Sequence, residues 1–261
     1  MRVKPYILFT ILNLIIADAA NAQHSLSLMG KQLKTVPAYV FEDTSLEELD
    51  LSHNKLRSIP DDIGKLKHLK RLYLNDNQLR SLPEALFGLD KLEVLYITHN
   101  RDISISDNLN RLIHLQTLHI GDSKVIPQNL GSLQNLKTLR IWRAGLEEVP
   151  SYVFELEKLE VLCFMGNRIK EIPCAVSKLQ QLRYLSFNRN DIERVPECIT
   201  ALPRLDYLGA SFNPIMEIGF GIFGMPSLHH LSLVGTRLNE KIKYQEVKQT
   251  LHVYTKISEI H

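Results

Sequence analysis

Histidine and aspartate alternate along the chain at a constant spacing of 23 residues. The alternation consists of His53, Asp76, His99 and Asp122. Imidazole and carboxylate groups are metal ligands, and titratable histidines would make any binding there sensitive to pH. The same spacing also suits simple hydrogen bonding between solvated side chains. We expect the solvated arrangement and predict no bound metal, although the sequence leaves the metal alternative open.

A second set of residues at related spacings combines aromatic, cationic and thioether side chains. It consists of Tyr73, Tyr96, His119, Arg140, Trp142 and Met165, and Trp142 is the only tryptophan. Trp, Tyr and Arg are the residue types that most often anchor protein interfaces. We therefore predict that these six residues form a partner-binding surface. The alternative is that the aromatic side chains only stack on one another at the protein surface.

Three cysteines are too few for the disulfide framework that holds small secreted domains together. Cys174 and Cys198 have a spacing that would bring them near each other in a repetitive fold. They could bridge in an oxidising compartment or remain free, because the direction of the side chains matters as well as the distance. Cys163 belongs to a different column of the pattern. At least one thiol therefore stays unpaired within a single chain.

These spacings follow from a repeat that organises most of the chain. Aligned on leucine, successive units begin at residues 23, 46, 69, 92, 115, 136, 159, 182, 205 and 228. The unit at 46–68 gives the template L-x-x-L-x-L-x-x-N-x-L-x-x-I-P-x-x-I-x-x-L-x-x. Numbered from its first leucine, the His/Asp alternation occupies position eight, and the aromatic set occupies positions five and seven. The fifth unit, 115–135, is two residues shorter than the others.

The template resembles the 23-residue class of the leucine-rich repeat family, over residues 23 to about 238. The resemblance implies an α/β fold, a curved right-handed solenoid with a parallel β-sheet on its concave face. The L-x-x-L-x-L segment itself predicts a short strand with one buried side. Asn at position nine is expected to bond the turn and the neighbouring unit, and Pro at position fifteen to fix φ where the return segment begins.

Residues 1–22 have the pattern of a cleavable signal peptide. Arg2 and Lys4 precede an apolar run of about eleven residues, and Ala20-Asn21-Ala22 offers small residues for cleavage. A membrane anchor would need roughly 20 apolar residues. We therefore predict a secreted, periplasmic or cell-surface protein whose mature chain has no membrane span.

The mature chain is predicted to be one repeat domain with a cap at each end. Residues 23–238 hold nine full units and the start of a tenth, and 23–45 serve as the N-terminal cap, because a terminal unit would otherwise expose its apolar cross-section. Residues 239–261 are the predicted C-terminal cap. In it, Ile242, Val247 and Leu251 suit a short amphipathic helix, followed by a short strand within 252–257.

Composition and motifs exclude several classes of function. A hydrophobic fraction of 44% is too high for a disordered chain, and a net charge of +2 gives no global reason for nucleic-acid binding. Nucleotide-binding loops, zinc-protease motifs and the nucleophile elbow are absent from the sequence. The repeats also leave no room for a separate catalytic domain. We therefore predict no enzymatic activity and no cofactor.

Function is expected on the solvent-facing side of the strands. We predict an interaction module that binds a protein partner of unknown identity through its concave face. One alternative is a glycan or small-ligand receptor in which Trp142, Tyr96 and the histidines form a stacking platform. Another is a structural or adhesive surface protein. The irregular fifth unit either is tolerated drift or changes the local curvature beside the binding surface, and the oligomeric state is not predicted.

Overall fold

The structure is a computed structural model that describes residues 24–238 and 251–254. The predicted signal peptide, 1–22, lies outside the described residues. So does most of the predicted C-terminal cap, including Ile242 and Val247 of the predicted amphipathic helix. Within the described ranges, no helix is long and apolar enough to cross a bilayer.

Short parallel strands recur along the chain, at least one in each repeat. They are β1 (Ser25–Ser27), β2 (Glu48–Asp50), β3 (Arg71–Tyr73), β4 (Val94–Ile97), β5 (Ile103–Ser104), β6 (Thr117–Gly121), β7 (Ser123–Val125), β8 (Thr138–Trp142), β9 (Val161–Cys163), β10 (Tyr184–Ser186), β11 (Arg194–Val195), β12 (Tyr207–Gly209), β13 (Glu217–Ile218), β14 (His230–Ser232) and β15 (His252–Tyr254). Eleven of them form one sheet in the order β1-β2-β3-β4-β6-β8-β9-β10-β12-β14-β15. This sheet confirms the predicted solenoid.

The register of the sheet equals the repeat length. Leu72 of β3 lies opposite Leu49 of β2 and Leu95 of β4, so that residues at one template position form a column across the units. The side chains of these three leucines are fully buried. Each unit buries its apolar residues against the next unit, and the buried side chains form one continuous core along the solenoid.

The asparagines at position nine form the predicted buried ladder. Nδ2 of Asn77 donates to the carbonyl oxygens of Leu51 at 2.9 Å and Leu74 at 3.1 Å, and its Oδ1 accepts from the backbone N–H of Leu56 at 3.0 Å. The same bonds recur at Asn190. Each amide therefore ties two units together and satisfies backbone groups that the tight turn leaves without partners.

In units one to four and six to nine, the chain returns from the strand through a 3-10 helix. These helices are Ala38–Phe41, Asp61–Lys65, Glu84–Gly88, Asp107–Arg111, Ser151–Glu155, Cys174–Lys178, Glu197–Ala201 and Phe220–Gly224. Proline at position fifteen precedes six of them, for example Pro60 with φ −62°. Ser106 takes this place in the fourth unit, where its side chain caps the helix by accepting from the backbone N–H of Asn108.

The short fifth unit differs from its neighbours on both sides of the core. Its return segment contains no 3-10 helix, and β7 instead pairs with β5 of the fourth unit. In the main sheet, β6 and β8 pair over five residues, whereas most strands have three. The missing two residues therefore shorten the return path and lengthen the sheet pairing at the same place.

A disulfide joins the return helices Cys174–Lys178 and Glu197–Ala201 of the seventh and eighth units. Cys174 and Cys198 are bonded, with their Cα atoms 5.6 Å apart. The sequence left this pairing open. Cys163 is a free and buried thiol on β9.

Candidate binding site on the concave face

The solvent-facing side of the main sheet, called the concave face below, is formed by positions three, five and seven of each unit. In β3 the middle residue, Leu72, is buried, whereas Arg71 and Tyr73 are half-buried on the other side. This alternation follows from the geometry of a strand, in which successive side chains point to opposite faces. The strands therefore present two outward columns, and position seven continues them just beyond the strand.

Four predicted site residues form a contiguous row across the concave face, called the aromatic row: Tyr73, Tyr96, His119 and Trp142. Tyr73 meets Tyr96 edge-on, with ring centroids 5.1 Å apart. Tyr96 stacks on His119 at 3.9 Å with the ring planes 10° apart, and His119 lies 6.1 Å from Trp142. Such separations are those of favourable ring contacts. The four rings therefore pack against one another. The ring stacking that the sequence offered as the alternative to partner binding is thus present in the structure.

Trp142 is held in place by the units on each side of it. Its Nε1 donates to Sγ of Cys163 at 3.3 Å. On the other side it pairs with Gly121, where an added Cβ would lie 3.1 Å from the backbone oxygen of Trp142 and 3.3 Å from its Cβ. Gly121 has no side chain and therefore leaves room for Trp142. The buried thiol of Cys163 fixes the direction of the indole.

Arg140 lies between the aromatic row and the next unit. It pairs with His119 on β6 and with Cys163 on β9, and its Cζ is 5.8 Å from the centroid of the Trp142 ring. Nε of Arg140 is buried and has no hydrogen-bond partner among the described residues. A buried donor without a partner costs free energy, and the half-buried side chain of Arg140 leaves the rest of its guanidinium group within reach of a ligand.

The aromatic row carries no charge from His119 near neutral pH. Burial, and after it the positive charge of Arg140, lowers the pKa of His119 to about 4. Burial and the nearby Glu48 carboxylate raise the pKa of Tyr73. Arg140 is therefore the one cation among the six predicted site residues at physiological pH.

The sixth predicted residue, Met165, is half-buried at position seven of the unit that follows Trp142. The six residues thus occupy neighbouring columns of five consecutive units. The structure brings them together on one face, and their role in binding a partner remains a prediction.

The alternating histidines and aspartates lie at the edge of the concave face and contact one another. His99 approaches both of its neighbours, with Nδ1 3.3 Å from Asp76 Oδ1 and Nε2 3.8 Å from Asp122 Oδ2. His53 Nε2 lies 3.6 Å from Asp76 Oδ2. Among the described residues, no group of three or more His, Cys, Asp or Glu side chains has an arrangement that would hold a metal ion.

The backbone explains why these residue types occur at position eight. This position has a positive φ in every unit, at Gly30, His53, Asp76, His99, Asp122, Arg143, Gly166, Arg189, Phe212 and Gly235. Glycine adopts this conformation without strain, and aspartate and histidine are enriched in it among other residues. The positive φ therefore favours residue types such as aspartate, histidine and glycine at this position, independent of any metal.

The concave face also holds a second aromatic column that was not included in the predicted site. At position three, Tyr184 stacks on Tyr207 at 4.4 Å with the rings 3° apart, and His230 stacks on His252 at 5.3 Å. Burial and the neighbouring Tyr207 raise the pKa of Tyr184 to about 12. The signal in the sequence was the 23-residue spacing of aromatic residues at position three.

Comparisons with known proteins agree with this architecture. The model of the family described as "Leucine rich repeat" matches residues 44–101. A comparison with curated proteins finds no match.

Several solved structures are similar over most of the chain. A leucine-rich repeat protein of Leptospira interrogans is 25% identical, with a TM-score of 0.54, and the match covers 86% of this chain and 70% of that one. The Arabidopsis receptor kinase HAESA, solved with the peptide hormone IDA and the co-receptor SERK1, is 25% identical with a TM-score of 0.73, over 85% of this chain and 40% of that one. The functional domain of InlJ from Listeria monocytogenes shares the fold at 21% identity and a TM-score of 0.71, over 88% and 48%.

Proposed function

We propose that this leucine-rich repeat protein is an interaction module that binds a protein partner through the aromatic row, Arg140 and Met165. The observation that carries the proposal is the contiguous aromatic row on the concave face, with the half-buried Arg140 placing its Cζ 5.8 Å from the centroid of the Trp142 ring. Arginine presents several donors in a rigid fork that fits a carboxylate or a carbonyl group. A peptide segment offers both kinds of acceptor.

The orientation of the rings favours a protein ligand over a sugar. Tyr96 and His119 turn their faces toward each other, 3.9 Å apart, and Tyr73 meets Tyr96 edge-on. A sugar that stacks on an aromatic platform needs a free ring face. Trp, Tyr and Arg side chains, by contrast, are the usual central contacts of protein interfaces. HAESA, which resembles this chain, was solved with a peptide hormone, and this supports a peptide or protein ligand here.

Affinity capture with residues 23–261 tests the proposal, followed by titration of each captured protein. The single tryptophan makes the titration specific, because fluorescence of Trp142 reports directly on the proposed site. We expect Arg140→Ala to weaken binding by about 2 kcal/mol, a typical loss for a central interface residue, and Trp142→Ala with Arg140→Ala to abolish capture.

A matched control replaces two exposed side chains away from the sheet. Tyr39→Ala with Ile113→Ala removes comparable apolar surface from the return segments and should leave capture unchanged. If the Trp142/Arg140 double variant binds as well as the wild-type protein, the concave face is not the binding surface.

We further propose that the protein is exported to the cell surface, the periplasm or the medium, on the strength of the pattern in residues 1–22. Expression of the full chain in a bacterium with N-terminal sequencing of the exported protein tests this. The expected first residue is Gln23. A cytoplasmic protein that still begins at Met1 would contradict the proposal of export.

A further inference from the structure

Five cations line one flank of the first four units, where the chain leaves the sheet and enters the return segment. This surface, called the basic flank, consists of Lys34, Lys55, Arg57, Arg80 and Arg101. They occupy positions ten and twelve of successive units. Because adjacent units repeat at about 4.8 Å along the sheet, the row from the first to the fourth unit is about 15 Å long.

All five cations are exposed, and none forms an ion pair or a side-chain hydrogen bond with another described residue. Two shallow clefts lie between them, of about 390 and 330 Å³, and both are lined by Arg57 and Gln78. Asp102 is the only acidic residue that lines either cleft. The flank is therefore a continuous region of positive charge.

The same flank of the C-terminal units has a different arrangement of charges. Position twelve there alternates between Glu147, Lys170 and Glu193. Lys170 Nζ lies 3.5 Å from Glu147 Oε2, and Arg194 Nε lies 3.5 Å from Glu217 Oε2. The repeat thus allows cross-unit ion pairs on this flank. The first four units instead carry like charges in adjacent units, an arrangement that is unfavourable without a counter-charge.

We propose that the basic flank binds a linear anionic glycan, a polysaccharide that carries sulfate or carboxylate groups along its length. Arginine binds such groups in a bidentate manner, and the clefts give room for the chain between successive cations. No aromatic or large apolar side chain lines either cleft except for the imidazole of His99. A folded protein partner would need an apolar centre, and single-stranded nucleic acid would need rings for stacking, so charge recognition of a glycan fits best.

The test measures binding of a heparin oligosaccharide to residues 23–261 by calorimetry at low and high salt. Arg57→Gln, Arg80→Gln and Arg101→Gln together should weaken binding by at least about tenfold, and added salt should weaken binding to the wild-type protein. The matched control is Arg168→Gln, Lys170→Gln and Arg194→Gln, which removes the same charge from the same flank of the C-terminal units and should change affinity by less than about twofold. Thermal unfolding verifies that both triple variants fold.

Three results would overturn the proposal: no binding of heparin, equal losses in both triple variants, or preference for another polyanion. Poly-glutamate and vesicles that contain phosphatidylserine serve as the competing polyanions, and neutral dextran as the uncharged glycan. Tighter binding of either polyanion than of heparin would assign the flank to an acidic protein segment or a lipid surface. The Trp142/Arg140 double variant should bind heparin normally, so that this site and the concave-face site succeed or fail separately.

Discussion

The two ends of the solenoid share one interior and differ on the outside. Asn77 in the third unit and Asn190 in the eighth make the same set of hydrogen bonds, and the leucines around them are equally buried. On the surface, the first units carry the basic flank and the part of the aromatic row at position five, which is Tyr73, Tyr96 and His119. The later units carry cross-unit ion pairs on the same flank, together with a disulfide and aromatic stacks at position three. The packing of each unit against its neighbours constrains the inward-facing positions of every unit alike. The outward-facing positions are free to differ.

The short fifth unit lies between the surface features of the first units and those of the later units. Its strands pair over five residues, and Gly121 makes room for Trp142 of the next unit. The aromatic row ends in the next unit, at Trp142, where Arg140 places a cation on the concave face. The proposed concave-face site is therefore centred on the boundary between the two halves.

The disulfide should give the largest difference between the halves. Replacing Cys174 and Cys198 by Ser is expected to lower the free energy of unfolding by about 3 kcal/mol, because the bridge closes a loop of moderate length. Urea unfolding measures the loss. Dithiothreitol should destabilise the wild-type protein and leave the double variant unchanged. Equal stability of the oxidised and reduced wild-type protein would mean that the bridge contributes nothing.

The asparagine ladder should show no difference between the halves. Asn77→Ala and Asn190→Ala each leave buried backbone groups without partners, so that each should cost about 2 kcal/mol of stability. Urea unfolding of the two single variants tests this. Costs that differ by more than about 1 kcal/mol would show that the interior is not equivalent along the solenoid.

His119, at the boundary between the halves, should make stability depend on pH. Its pKa of about 4 lies below the value of about 6.5 for an unfolded chain, so the unfolded state binds the proton first. Stability is then fully present above pH 6.5 and decreases as the pH falls toward 4. We expect a loss of about 1 kcal/mol after allowance for the partial exposure of the ring. Thermal unfolding between pH 4 and 7 should show a smaller decrease in His119→Gln than in the wild-type protein.

The flank charges should give the smallest effects, with opposite signs in the two halves. Arg57→Glu places an acid between two cations and is expected to stabilise the protein by about 0.5 kcal/mol. Glu147→Lys removes the ion pair with Lys170 and should destabilise it by a similar amount. Both effects should disappear in 1 M salt, where charges are screened within about 3 Å. The same sign for both substitutions would contradict the difference between the flanks.

Much of the fold could be predicted because the same sequence pattern recurs in successive units. The 23-residue spacing predicts the register that places Tyr73 opposite Tyr96, and the asparagines predict the ladder. The six residues of the candidate site follow from the same spacing. The sequence was less informative about the return segments, because a span of five residues satisfies a 3-10 helix and an extended path equally well.

Local sequence could not predict contacts that depend on side-chain direction. Whether Cys174 and Cys198 bridge depends on how two return helices face each other, and both outcomes fit one spacing. The bond from Trp142 to Cys163 and the missing partner of Arg140 Nε also depend on rotamers of side chains in different units. The positive φ at position eight, which favours residue types such as His and Asp there, is visible only in the folded backbone.

The sequence by itself therefore determines the period, the buried columns and the composition of each outward column. It can do so because every unit must bury the same positions against its neighbours. Only the tertiary structure decides which outward residues touch, which charges find a partner and which do not. The basic flank and the aromatic row both depend on these contacts. Whether a cation has a counter-charge, and whether a ring face is covered, depends on how neighbouring units are placed in space.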